Sequence, residues 1–140
     1  VSAKVDGKSK FIKKIVVTTA SPHDSKMFPD LMDESDRGQV TFADSAYVGQ
    51  EETLKKYGLK DEICEKGYRG KPLTDEQREE NRKKSVIRSR VEHVFGFMEG
   101  AMHGLTVRTI GIARAIVHIF LKCLTYNMFR YEQFVRNGIR

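Results

Sequence analysis

The sequence predicts a mixed α/β fold, and three observations carry that expectation. Two short β-rich runs open the chain, a compact β-prone run from Gln39 to Ala43 is followed by helical sequence, and two long helical stretches fill the C-terminal half. Strands joined by a short turn pair antiparallel, whereas strands interleaved with helices belong to an α/β layer arrangement. At 140 residues the chain has the length of one domain. Its 39% hydrophobic and 31% charged residues, with only 3 prolines, exclude a disordered chain.

The elements follow in order. Val1, Ala3 and Val5 alternate with Ser2, Lys4 and Asp6, then Asp6-Gly7 signals a turn and Phe11 to Thr19 forms the second β-rich run, so a hairpin is expected. Asp24 or Ser25 caps a short helix whose apolar positions are Met27, Phe28, Leu31 and Met32. After the strand Gln39–Ala43, Asp44 sits at its C-terminal end, and a helix is expected from Glu51 to Tyr57. A weak strand lies around Ile63, before the glycine-rich basic loop Gly67-Tyr68-Arg69-Gly70-Lys71-Pro72. Thr74 and Gln77 have capping-box spacing and open a long helix, along which Ile87, Val91, Val94, Phe95, Met98 and Met102 make one buried stripe. A last helix from about Ile110 to Phe134 carries Ala113, Ile116, Val117, Phe120, Leu121, Leu124 and Met128, an apolar face expected to pack against the rest.

Charge narrows the partners. There are 25 Lys plus Arg against 19 Asp plus Glu, a net charge of +6. The excess gathers at Lys4, Lys8, Lys10, Lys13 and Lys14, and again at Arg82, Lys83, Lys84, Arg88 and Arg90. A polyanion is favoured, nucleic acid above membrane, although a solvated basic face would read the same way. Cys64 and Cys123 belong to no zinc or disulfide pattern, and a reducing cytoplasm is the default setting. No signal peptide is expected at the start, and Arg114, His118 and Lys122 interrupt the longest apolar region, so no membrane span is expected.

Chemistry-bearing residues are few. Open α/β sheets place ligands beyond the carboxyl ends of their strands, where Asp44 lies, and capping of the following turn is its plainer role. Arg88, Glu92 and Glu99 share one helical face by their spacing of four and seven, a pattern that also fits a surface ion pair. His23, His93, His103 and His118 show no common ligand spacing.

ADSAYVG around Asp44, RSRVEHVFGFMEG around Glu92, the earlier TTASPHDS and the closing LTYNMFR, in this order and spacing, resemble bacterial insertion-sequence transposases of the DDE class. The resemblance covers essentially the whole chain. It implies a ribonuclease-H-like (retroviral-integrase-like) mixed sheet flanked by helices, with carboxylates holding two divalent metal ions, Mg²⁺ or Mn²⁺, that cut and join DNA strands. By this matching Asp44 and Glu92 are catalytic metal ligands, and the basic helix face of Arg88, Lys84, Arg90, Arg82 and Lys83 is the expected DNA contact. Arg88 matches the family's arginine one turn before the glutamate, as a phosphate contact or as an orienting partner of Glu92. Ser85 and Glu99 depart from the family, which often has tyrosine and a DNA-contacting lysine there, and an acid at Glu99 repels phosphate.

The resemblance also implies that residues 1–140 are a single, partial catalytic domain lacking the family's first strand and first aspartate. Asp6, the early substitute, belongs to a turn. A sheet without a central strand exposes two edges, so a homodimer is expected. Two functions follow from different classes: DNA strand cleavage and transfer, or a non-catalytic DNA-binding or transposase-inhibiting fragment.

Overall fold

The computed structural model describes residues 1–18, 24–43 and 45–138, apart from the side chains of 24 and 25. Its elements are β1 (Ser2–Val5), β2 (Ile12–Val16), a 3₁₀ turn leading into α1 (Phe28–Leu31), β3 (Val40–Thr41), α2 (Glu51–Tyr57), β4 (Lys60–Asp61), α3 (Asp75–Ala101) and α4 (Ile112–Arg136). The architecture is mixed α/β with small sheets: among the described residues β1 and β2 form one pair and β3 and β4 another. The chain divides into two compact units, Val1–Ser21 with Val91–Arg140, and Pro22–Arg90.

In the first unit the hairpin forms as the alternation predicts, antiparallel, with Ser2 opposite Val16 and Lys4 opposite Lys14. The register then slips so that Val5 faces Ile12, leaving Lys13 as the extra residue of a bulge. The Asp6-Gly7 signal gives a broader connection than a two-residue turn. Asp6 Oδ2 accepts from Ser9 N at 2.6 Å, Ser9 Oγ at 2.5 Å and Lys8 N at 3.2 Å, and Lys10 takes φ +62°. Ile12 packs with Val94 and Met98 of α3 and with Ile119, Cys123 and Tyr126 of α4. Val94 and Met98 of the predicted α3 stripe are fully enclosed and Met102 packs against this core, whereas Ile87 belongs to the other unit.

The α4 expectation needs correcting. Its buried positions are Ile119, Cys123 and Tyr126, while the face chosen from sequence is open: Val117, Phe120, Leu121 and Met128 are all more than half exposed. Both faces are apolar, and the polar groups decide between them. Tyr126 Oη donates to Lys10 O (3.1 Å) and Arg130 Nε to Ser9 O (2.8 Å), and Asn127 bonds both backbone groups of Ile12, fastening this side of α4 to the hairpin. By length and composition α4 is apolar enough to cross a membrane, contrary to the sequence expectation, a property that core helices of soluble proteins share. Its Lys122 donates to Gly104 O.

In the second unit Phe28, Leu31 and Met32 are buried as predicted, and Phe28 meets the ring of Tyr47 at 5.7 Å. β3 and β4 run parallel, Val40 beside Lys60 and Thr41 beside Asp61. The weak strand thus precedes Ile63, which is a core residue. Helix α2 has the expected limits and ends at Gly58, whose φ of +59° is the left-handed conformation that stops a helix cheaply only in glycine. The capping box at the start of α3 is present: Gln77 N donates to Thr74 Oγ1 (3.2 Å) and Thr74 N to Gln77 Oε1 (2.9 Å).

Candidate metal and DNA site

The parallel ladder runs as far as Ala43. Lys60 N donates to Gln39 O, Glu62 N to Thr41 O and Cys64 N to Ala43 O, at 2.9, 3.0 and 3.0 Å. Pairing therefore continues to Ala43, and a 3₁₀ turn begins at Ser45. Asp44 itself lies outside the described residues, as do Thr19 to His23 of the TTASPHDS string, and the Asp24 side chain expected to cap the helix is likewise not described. Ala43, the residue before Asp44 in sequence, is thus hydrogen-bonded in a parallel pair, and α/β sheets present ligand-binding side chains beyond the carboxyl ends of such strands.

Glu92 is exposed on α3, well inside the helix, in the unit that contains the hairpin. Beside it in sequence, His93 Nδ1 is 3.4 Å from Lys10 Nζ, which gives this face a cation from the hairpin. A charged lysine has no lone pair to offer, so the imidazole nitrogen is the acceptor. Glu99 is exposed further along the same helix.

The basic residues of α3 in the second unit differ from one another. Arg82 is 81% exposed and loosely paired with Glu79 at 3.8 Å, and Lys83 is exposed. Lys84 is only 17% exposed, donating to Ile63 O at 3.2 Å and standing 3.4 Å from Glu62 Oε2. Arg88 and Arg90 are half-buried. Charge counting alone does not separate these roles, because a lysine that locks two segments together and a lysine that meets a phosphate look identical in sequence.

Asp6 is held below its ordinary value of 3.8, chiefly by the hydrogen bond from the Ser9 hydroxyl, with further help from Ser9 N, Lys13 and Lys8 N against the cost of burial. Its oxygens are committed to its own turn, which is the structural role read from the sequence. Among the described residues no three His, Cys, Asp or Glu side chains gather into a metal cluster.

Sequence reasoning missed two asparagines. Asn127 clasps Ile12 in the first unit, and in the second Asn81 accepts from Glu65 N (2.9 Å) and donates to Glu65 O (3.0 Å). The only signal was the position of Asn127 within LTYNMFR, whose Tyr126, Asn127 and Arg130 all grip the hairpin connection.

Compared with known proteins, residues 1–128 match the family described as "Transposase DDE domain", and the chain belongs to that family. It is also similar to the transposase for insertion sequence element IS1106 of Neisseria meningitidis serogroup B, with 29% identity over 122 residues. That alignment covers 86% of this chain and 42% of the relative, so the chain spans about two fifths of the relative's length. No solved structure matches the chain.

Proposed function

We propose that this chain is part of the catalytic domain of an insertion-sequence DNA transposase, built on a ribonuclease-H-like sheet, and that Asp44 and Glu92 are two of its catalytic metal ligands. The observation that carries the reading is the hydrogen-bonded parallel pairing of Ala43, the residue before Asp44 in sequence, in a member of the DDE family whose other matched carboxylate, Glu92, is exposed on a long helix.

The donor set fits the metal. Two carboxylates are hard oxygen ligands of the kind Mg²⁺ and Mn²⁺ take. When bound, such ions polarise phosphate oxygens, activate an attacking hydroxyl and neutralise the leaving oxygen. Glu92 and Asp44 would hold them, and Arg82, Lys83, Arg88 and Arg90 would draw the DNA backbone toward the helix. Lys84 belongs to the same basic run, with its ammonium turned to Ile63 and Glu62. DNA is the proposed partner, both transposon ends and target, in a cytoplasmic setting. The proposed homodimer draws support from the apolar face that α4 leaves exposed.

A second reading, a non-catalytic DNA-binding or transposase-inhibiting fragment, is favoured by the exposed pair Arg82 and Lys83, which can meet a phosphate backbone with no metal ion taking part. The test is Mn²⁺ titration of the chain by calorimetry, with Asp44→Asn and Glu92→Gln beside it, together with strand cleavage by the parent transposase carrying the same changes. Metal binding lost in both variants, with cleavage reduced about 100-fold or more, supports the catalytic reading. Unchanged cleavage removes it, and salt-sensitive DNA binding without metal binding favours the second.

A further inference from the structure

The loop between β4 and α3 presents an aromatic ring among cations, and nothing in the metal site uses it. Tyr68 N donates to Lys71 O at 3.1 Å and Lys71 N to Tyr68 O at 3.0 Å, closing a tight turn over Arg69 and Gly70, where Gly70 takes φ +89°. Tyr68 is 61% exposed, so its ring is open to a ligand. Lys66 Nζ stands 6.0 Å from the ring centroid, and Arg69 and Lys71 are exposed on the same tip, which has no acid between 66 and 72.

Side-chain hydrogen bonds tie down the base of the loop. Asn81 holds both backbone groups of Glu65, Gln77 Nε2 donates to Glu65 Oε2 at 2.5 Å, and a Cβ added at Gly67 would meet Leu73 at an ordinary contact distance of 3.4 Å. A ring that is exposed yet carried on a fixed base meets a ligand without first being ordered, which lowers the entropic cost of binding. Tyr68 also borders a cleft of about 270 Å³ lined by Val48, Gln50, Leu54 and Ile63.

We propose that the Tyr68 tip is a single-stranded DNA contact, in which the ring stacks on an unpaired base and Lys66, Arg69 and Lys71 meet the flanking phosphates. This rests on the DNA reading above and adds to it the form of DNA and the residue that recognises it. Stacking requires a flat, accessible π-face, and a duplex keeps its bases stacked on each other, so the combination of ring and cations fits an unpaired strand better than a closed duplex.

The test is fluorescence anisotropy of the whole chain with single-stranded oligothymidylate and with duplex DNA. Tyr68→Ala should weaken single-strand binding about 5- to 100-fold and leave duplex binding and the salt slope unchanged, while Tyr68→Phe retains affinity. Arg69→Ala and Lys71→Ala should each lower the single-strand salt slope by about 0.7. The chain has no tryptophan, so Tyr68→Trp supplies a unique fluorophore that a stacked base quenches. Equal single-strand affinity for Tyr68→Ala, or no quenching in Tyr68→Trp, overturns the proposal while DNA binding itself persists. Absence of binding to either DNA at low salt overturns it together with the DNA reading.

Discussion

Asn127 stands in for a strand beside Ile12: its Oδ1 accepts from Ile12 N and its Nδ2 donates to Ile12 O, both at 2.9 Å. A side-chain amide has the donor and acceptor geometry of a peptide group, so one residue of α4 satisfies both backbone groups at the first position of β2. Asn127→Ala should cost about 1–3 kcal/mol, since both partners lose their bond in a part-buried place. Urea denaturation reads it as a lower midpoint at unchanged slope, and a midpoint equal to that of the native chain would show the clasp to be idle.

Asp6 makes the hairpin connection sensitive to acid. Its folded-state value lies below its ordinary 3.8, so the unfolded chain takes up the proton more readily. The stabilisation is therefore complete above pH 3.8 and is lost as pH falls through the lower folded-state value. Asp6→Ala should remove about 1–2 kcal/mol near neutrality and flatten this part of the acid limb. A native and a mutant chain with parallel stability curves between neutral and acid pH would contradict it.

Lys83 and Lys84 are neighbours with opposite expected phenotypes. Lys84→Ala should destabilise the chain by about 1 kcal/mol, because Ile63 O and Glu62 lose their shared cation, and should leave the DNA salt slope unchanged. Lys83→Ala should leave stability within about 0.5 kcal/mol and lower the slope on duplex DNA by about 0.9. Thermal melts and binding isotherms at several salt concentrations check both, and the reverse pattern would reassign the pair.

Leu121 lies 51% exposed within the open apolar face of α4, beside Val117 and Phe120. For the proposed homodimer, Leu121→Lys should shift sedimentation toward the monomer with an unchanged circular dichroism spectrum. A native chain that already sediments as a monomer at micromolar concentration would leave that face without a role in self-association.

Local chemistry made much of the fold legible. The hairpin, the Glu51–Tyr57 helix and the Thr74/Gln77 box follow from alternation, periodicity and capping, which act over a few residues. The packing side of α4 was not legible, because both of its faces are apolar and the choice depends on where Tyr126, Asn127 and Arg130 find backbone partners more than a hundred residues away in sequence. The contact of Lys84 with Ile63 was not legible for the same reason, since its carbonyl partner comes from another segment. At the site, the exposed Glu92 was readable from helical spacing, and the strand ending at Ala43 from its β-prone run. Asp44 lies outside the described residues.

The two cysteines divide evenly, Cys123 in the unit with the hairpin and Cys64 in the other, both free and buried. Burial also pushes the Cys123 thiol above its ordinary value, which slows its reaction further. Each sulfur therefore becomes modifiable only when its own surroundings open, and the chain carries a built-in clock for each unit. Alkylation rates followed at both positions in one sample would separate the local opening of the first unit from that of the second without any added label.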